Sequence, residues 1–296
     1  VGGRPIPREV LTDHLAGVLL DVDGTLLTET GPIPGAAAVV ARLRHRGFPF
    51  RILTNITRRS RQSVVDRLRR YGIAVEREEV FTAVYAGADW MQRRGVRRLA
   101  PFVTDDALED LRDFELVGGT AGPRGGGEEG ASVPPRDRPP ARPDAVLIGD
   151  VGERWTHALL NEAFRYVMGG AQLVALQMGR YWQGPSGLEV DAGAYVTALE
   201  YATGAEATVC GKPNREFFEA AIASLREPAR RNGPTTAATA LPPIAMVGDD
   251  LWADIDGAQQ AGLEGWLVRT GKFHEDTLAT SGIRPDRVLD SVAELC

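Results

Sequence analysis

The chain is short of the residues that build disulfide and soft-metal chemistry. Its 296 residues include two cysteines, Cys210 and Cys296, and four histidines. Two cysteines make neither a disulfide framework nor a thiolate metal site. His14, His45, His157 and His274 show no paired spacing, so each reads as a surface residue rather than a ligand. No apolar run approaches the roughly 20 residues that cross a bilayer. The first twenty residues lack the basic, apolar, small-residue order of a secretory signal, and a reducing cytoplasm is the expected location. The first residue is Val1 rather than Met. A basic excess is also missing: the formal net charge of -6 argues against a general nucleic-acid binder. What is present is ordinary for a globular protein, with 43% hydrophobic and 25% charged residues. The length suits one large α/β domain or two smaller ones.

Apolar runs alternate with helix-like segments. Gly17 to Leu20 reads as a buried strand, and Ala36, Val39, Val40 and Leu43 follow helical spacing. Phe50 to Leu53 is the next strand, and Val64, Leu68 and Tyr71 mark a helix ended by Gly72. Late in the chain Phe217, Phe218, Ala221, Ile222 and Leu225 form one helical face, followed by a strand at Ile244 to Val247, a helix at Ala253 to Ala261 and a strand at Gly265 to Val268. This is the βαβ alternation of a Rossmann-like, doubly wound parallel sheet. Between the halves, strands are expected at Arg98 to Val103, Ala145 to Ile148 and Leu173 to Leu176, with a helix at Trp155 to Met168. The expected organisation is therefore a core of residues 1–84 and 191–296 interrupted by an inserted α/β domain at 85–190. Within the insert, VGGTAGPRGGGEEGASVPPRDRPPARP has almost no apolar residues and reads as a disordered loop near 118–143. REPARRNGPTTAATALPP, before Ile244, reads as a second flexible loop.

Four strand ends carry polar residues, and ligands collect at the C-terminal edge of a parallel sheet. LLDVDGTLL places Asp21 and Asp23 one residue apart behind an apolar run, with Gly24 to break the strand and Thr25 after it. ILTN delivers Thr54 and Asn55, which either hold phosphate oxygens or form a turn or helix cap. CGKPNREFF puts Lys212 before Pro213 at a helix start, able to face clustered acids or a phosphate. AMVGDDLWADIDGAQQAG supplies Asp249, Asp250 and, at helical spacing from Asp250, Asp254. One acid there suffices to cap the helix, yet several accumulate. Hard oxygen donors and one lysine suit Mg2+, which keeps waters and shares phosphate oxygens. Two aspartates then divide the work: one stays ionised and attacks, the other carries a proton as acid and then base.

These residues, in this order, resemble the haloacid dehalogenase-like phosphatase superfamily, with DVDGT, LTN, GKP and GDDLWAD matching its four motifs across nearly the whole chain. The insert between the second and third motifs looks like the type-two cap of subfamily IIA. GRYWQGPSGLEVDAGAYVTALEYATG and VRTGKF look closer still to the phospholysine phosphohistidine inorganic pyrophosphate phosphatases and their sister proteins. The resemblance implies a Mg2+-dependent phosphoric monoester hydrolase. Asp21 would be the nucleophile that forms an aspartyl-phosphate, and Asp23 the acid and base. Thr54, Asn55 and Lys212 would hold the phosphoryl group. Asp21, the Asp23 backbone carbonyl and Asp249 would bind Mg2+, with Asp250 and Asp254 behind them. Arg180, in GRYW, would contact substrate, while Tyr181 and Trp182 favour packing. The implied partner is a small phosphorylated substrate, not nucleic acid or membrane, with a homodimer through the cap as an option. Phosphoryl transfer to an acceptor other than water, and a non-catalytic binding or regulatory role, are the alternatives. One departure matters: the phosphohistidine-type relatives carry Ser where this chain has Asp23. Serine is a poor acid, so Asp23 widens the expected substrates from phosphoramidates and pyrophosphate to ordinary monoesters.

Overall fold

The computed structural model describes residues 14–121, 142–184, 187–230 and 242–295. In chain order the strands are β1 (Gly17–Asp21), β2 (Phe50–Thr54), β3 (Val80–Thr82), β4 (Arg98–Phe102), β5 (Glu115–Leu116), β6 (Ala145–Ile148), β7 (Gln172–Ala175), β8 (Tyr181–Gly184), β9 (Gly187–Val190), β10 (Thr208–Val209), β11 (Ile244–Gly248), β12 (Glu264–Val268) and β13 (Arg287–Leu289). The helices are α1 (Ala36–His45), α2 (Arg61–Arg70), α3 (Ala83–Arg93), α4 (His157–Met168), α5 (Ala192–Thr203), α6 (Arg215–Arg230), α7 (Gly257–Gln260) and α8 (Glu275–Ser281). The architecture is α/β, with a Rossmann-like parallel core and an inserted α/β domain. No helix among the described residues is long and apolar enough to cross a membrane.

The chain forms two compact units. The first holds residues 1–54, 62–81 and 212–296 and a six-stranded sheet in the order β13-β12-β11-β1-β2-β3. Each pair from β13 through to β2 is parallel. β1 and β11 sit in the middle and are buried along their whole length, which is why both read as unbroken apolar runs. Helix α6 packs Phe217 and Phe218 into this unit with almost no exposure.

The second unit holds residues 55–61 and 82–211. Its sheet runs β10-β7-β6-β4-β5, and β8 and β9 form a separate antiparallel hairpin. The period of two along its strands divides two cores. Leu99, Ala145, Leu147 and Val174 join α3 residues Val84, Trp90 and Met91. Ala100, Phe102, Val146 and Ile148 join Ala163 and Val167 of α4 and Val196 and Leu199 of α5. Helices α3 and α4 start where the Thr82 and Thr156 hydroxyls accept from the amides of Tyr85 and Leu159.

The structure differs from the sequence expectation in four places. The second unit extends to Gly211 rather than stopping at 190, because α5 packs on its core and β10 pairs with β7. The expected disordered stretch begins too early: residues 119–121 form a 3-10 turn in which the buried Thr120 hydroxyl donates to backbone carbonyls and accepts from the Val103 amide. Most of that stretch, 122–141, lies outside the described residues. Helix α6 continues to Arg230, into the segment read as a second loop, whose residues 231–241 also lie outside them. The helix expected at Ala253 to Ala261 is instead a π-helical turn, Leu251–Asp256, followed by the single turn of α7.

Truncating Phe218 to Ala should cost about 3–5 kcal/mol of unfolding free energy, measured by urea titration at constant m-value. A loss under about 1 kcal/mol would place this ring outside the core that holds α6 to the sheet.

Candidate active site

Parallel pairing brings the chemistry-bearing strand ends of the first unit to one edge. Leu20 stands in register with Val247, and Asp21 with Leu53, so Asp21 emerges level with the ends of β11 and β2. Asp249 follows β11 directly. Gly248 has no side chain for a reason of space: a Cβ there would overlap the Asp254 carboxylate.

Lys212 is the hub. Its Nζ donates to Asp21 Oδ1 at 2.5 Å and to Asp254 Oδ1 at 2.6 Å, and reaches the Leu53 carbonyl at 3.4 Å. All three charged side chains are buried, with Lys212 3% and Asp254 1% exposed. Pro213 precedes α6 by two residues rather than opening it, and the Lys212–Pro213 peptide is cis. Burial works against a charged Lys212, but Asp21 and Asp254 outweigh it and hold the ammonium well above its ordinary range. Burial pushes the Asp21 carboxyl well up despite the pull of Lys212, with Asp254 and Asp249 adding repulsion.

The π turn decides which acid joins this cluster. The Asp250 carbonyl accepts from Asp254 N at 2.9 Å and, five residues on, from Ile255 N at 3.2 Å. The widened turn carries Asp254 onto Lys212 and against Asp21 and Asp249. Asp250 takes the capping role instead, its Oδ1 accepting from Trp252 N and Ala253 N. Asp250 is also paired with Lys272 Nζ at 2.9 Å. Against the cost of burial, Lys272 and those amides hold the Asp250 carboxyl below its usual range. Asp254, ranked behind the other acids by the resemblance, stands beside Asp21 and Asp249, with its oxygens accepting from Lys212 Nζ and Asp250 N.

Carboxylate oxygens of Asp21, Asp249 and Asp254 all lie within 4.8 Å of one another. Three carboxylates face one ammonium, leaving negative charge that a divalent cation would neutralise. Burial first, then Asp254, raises Asp249 to about 7. A hard, all-oxygen donor set of this kind fits Mg2+. The Thr25 hydroxyl, in the same motif, is buried without a hydrogen-bond partner among the described residues.

The other expected residues lie as follows. The side chain of Asp23 is 49% exposed, and its Oδ1 is paired with Arg67 Nη1 of α2 at 2.8 Å. Thr54 is buried at the end of β2. Asn55 and Arg180 belong to the second unit, Asn55 half-buried and Arg180 exposed before β8. In that unit Arg58 makes a two-pronged pair with Asp150, at 2.6 and 3.1 Å, and its guanidinium lies 4.7 Å above the Trp182 ring. Tyr181, by contrast, is exposed. The four histidines are exposed. Sequence reasoning missed Arg67, which sits among the other arginines of a surface helix, and gave no site role to Thr270 to Lys272, noted only within VRTGKF as part of the resemblance.

Comparison with known proteins shows the family of the chain. Residues 18–117 match a haloacid dehalogenase-like hydrolase family model, and residues 209–295 match a second model of HAD-hydrolase-like sequences. The chain belongs to the haloacid dehalogenase-like hydrolases. It is 34% identical over 259 residues to the Bos taurus haloacid dehalogenase-like hydrolase domain-containing protein 2, covering 88% of this chain and 86% of that one. It is 33% identical over 284 residues to the Rattus norvegicus phospholysine phosphohistidine inorganic pyrophosphate phosphatase, covering 94% and 92%. The p-nitrophenyl phosphatase from Archaeoglobus fulgidus shares the fold, with a TM-score of 0.78 at 23% identity over 95% of this chain and 98% of that one.

The raised Asp249 has a stability consequence. Between the unfolded carboxyl pKa near ~4 and the folded value of about 7, the native state holds a proton that the unfolded state has released, so stability falls as pH rises. In metal-free protein, Asp249→Asn should melt above the wild type at both pH 5 and pH 8, with the larger margin, by several degrees, at pH 8. Thermal scans in EDTA at the two pH values check this. A wild-type advantage at pH 8 would contradict it.

Proposed function

We propose that the protein is a Mg2+-dependent phosphatase that hydrolyses a small phosphorylated substrate through an aspartyl-phosphate at Asp21. The observation that carries this reading is the buried Lys212 ammonium bridging Asp21 and Asp254 beside Asp249. A purely structural ion pair needs one carboxylate, and burying additional acids costs stability unless they serve a site.

The residues divide the reaction between them. Lys212 occupies Asp21 Oδ1, which holds the carboxylate in place and leaves Oδ2 as the attacking oxygen. Oδ2 bonds to phosphorus as the bond to the leaving oxygen breaks, and that oxygen takes the proton of the Asp23 carboxyl. Asp23, now a carboxylate, removes a proton from water as the water oxygen attacks phosphorus. The acyl-phosphate P–O bond breaks, releasing phosphate and restoring Asp21. Thr54, with Asn55 beside it in the motif, would hold phosphoryl oxygens, and Lys212 would offset their charge. Asp21, Asp249 and Asp254, with the Asp23 carbonyl supplied by the family resemblance, would hold Mg2+. When bound, the ion supplies charge neutralisation and orientation.

Substrate scope follows from Asp23. Asp23 Oδ1 accepts from Arg67 Nη1 at 2.8 Å, so Arg67 must release this oxygen before the acid step. With a carboxyl acid available, ordinary phosphate monoesters with poor leaving groups fall within reach, beside the phosphoramidates and pyrophosphate of the similar phosphatase from rat.

Two measurements test the reading. Asp21→Asn should lower turnover of 4-nitrophenyl phosphate with Mg2+ by at least about 10³-fold, with an unchanged circular dichroism spectrum. Retained activity would exclude Asp21 as nucleophile. Asp23→Ser should lower kcat for an alkyl phosphate by about 10²–10⁴-fold while sparing a phosphoramidate whose leaving group needs little protonation. Equal losses on both substrates would remove Asp23 from the acid role.

A further inference from the structure

Beyond the acid cluster, one turn of the first unit touches three parts of the candidate site, through one backbone amide and two side chains. It follows β12 and runs from Thr270 to Lys272. The Lys272 amide donates to Asp249 Oδ2 at 2.7 Å. The Thr270 hydroxyl donates to the Gly24 carbonyl at 2.5 Å. Lys272 Nζ reaches Asp250 Oδ2. Upstream, the Arg269 amide donates to the Leu289 carbonyl, which ties the turn to β13.

Two glycines make this approach feasible. Gly24 has φ 89° and Gly271 φ 64°. A Cβ on either would overlap Asp249 Oδ2, and one on Gly271 would also come within 2.6 Å of the Gly24 Cα. Asp249 Oδ2 is thus enclosed by the two glycine backbones and committed to the Lys272 amide. Oδ1 is the oxygen left for a cation. A carboxylate held at one oxygen can present the other in a fixed direction, and partners that orient a ligand tune metal affinity as ligands do.

From this we infer that the Thr270–Lys272 turn is a positioning element for the metal site: its backbone, anchored on Gly24 by the Thr270 hydroxyl, aims Asp249 at the cation. The inference rests on the phosphatase reading for the identity of the ligand set. The contacts of the turn stand independently of it. Lys272 acts here through its amide, and its ammonium holds Asp250 at the helix cap.

The test uses the full chain and Mn2+ as probe, with binding followed by loss of the free-ion EPR signal and competed by Mg2+. Melting in EDTA is measured in parallel. Thr270→Val removes the hydroxyl at nearly constant volume, and Thr270→Ser keeps it. Thr270→Val should weaken Mn2+ binding by about 10-fold or more with its metal-free melting temperature unchanged, and Thr270→Ser should bind as the wild type does. Gly271→Ala should bind more weakly still; where it does not fold, the Thr270 pair decides. Unchanged binding in Thr270→Val, with a binding wild type, would overturn this inference alone. So would a loss of metal-free stability that accounts for the weaker binding, or an equal loss in Thr270→Ser. A wild type that binds neither Mn2+ nor Mg2+ would overturn the phosphatase reading and this inference with it.

Discussion

The double ion pair at Lys212 is the constraint on which the rest of the site depends. A buried ammonium with a single carboxylate would be a neutral pair. With Asp21 at 2.5 Å and Asp254 at 2.6 Å it becomes a bridge between the end of β1 and the π turn after β11. Those segments are far apart in sequence and adjacent in the sheet. The bridge costs desolvation, which only good geometry and further hydrogen bonds offset. Asp254 meets that demand through Asp250 N, and Gly248 gives it room. Asp249 has no such ammonium at contact distance. The raised Asp21 and Asp249 carboxyls mark where burial and crowded acids strain the metal-free site.

Much of the fold was legible in sequence for a simple reason. Central parallel strands are buried on both faces, so β1, β6 and β11 read as apolar runs bounded by polar residues. The strand ends were legible for the same reason, because acids directly behind such runs have no packing explanation. What escaped were features set by tertiary pairing. The two-residue strand β10 carries no pattern of its own and is a strand only because β7 lies beside it. Thr120 sits at the edge of a Gly- and Pro-rich stretch, yet its hydroxyl completes the backbone pairing around Pro101 and Val103.

Within the site, the same division holds. Asp21, Asp249 and Lys212 announce themselves by position. Asp254 follows Asp250 at the expected spacing, but only the π turn shows that it reaches Lys212 and stands beside Asp21 and Asp249. The Thr270–Lys272 turn acts through amide and hydroxyl groups, and a backbone contact leaves little trace in residue type beyond the glycine that permits it. Arg67 belongs to a helix rich in arginine, and only the folded chain singles it out by placing it 2.8 Å from Asp23.

The central claim is that Asp21 accepts the phosphoryl group. It is tested most directly by quenching the enzyme in acid during steady-state turnover of a 32P-labelled monoester with Mg2+, then mapping the labelled peptide. Label on the peptide that contains Asp21, released by hydroxylamine, is the expected result. Turnover with no labelled protein under quench conditions that preserve acyl phosphates, or label fixed at another residue, would contradict it.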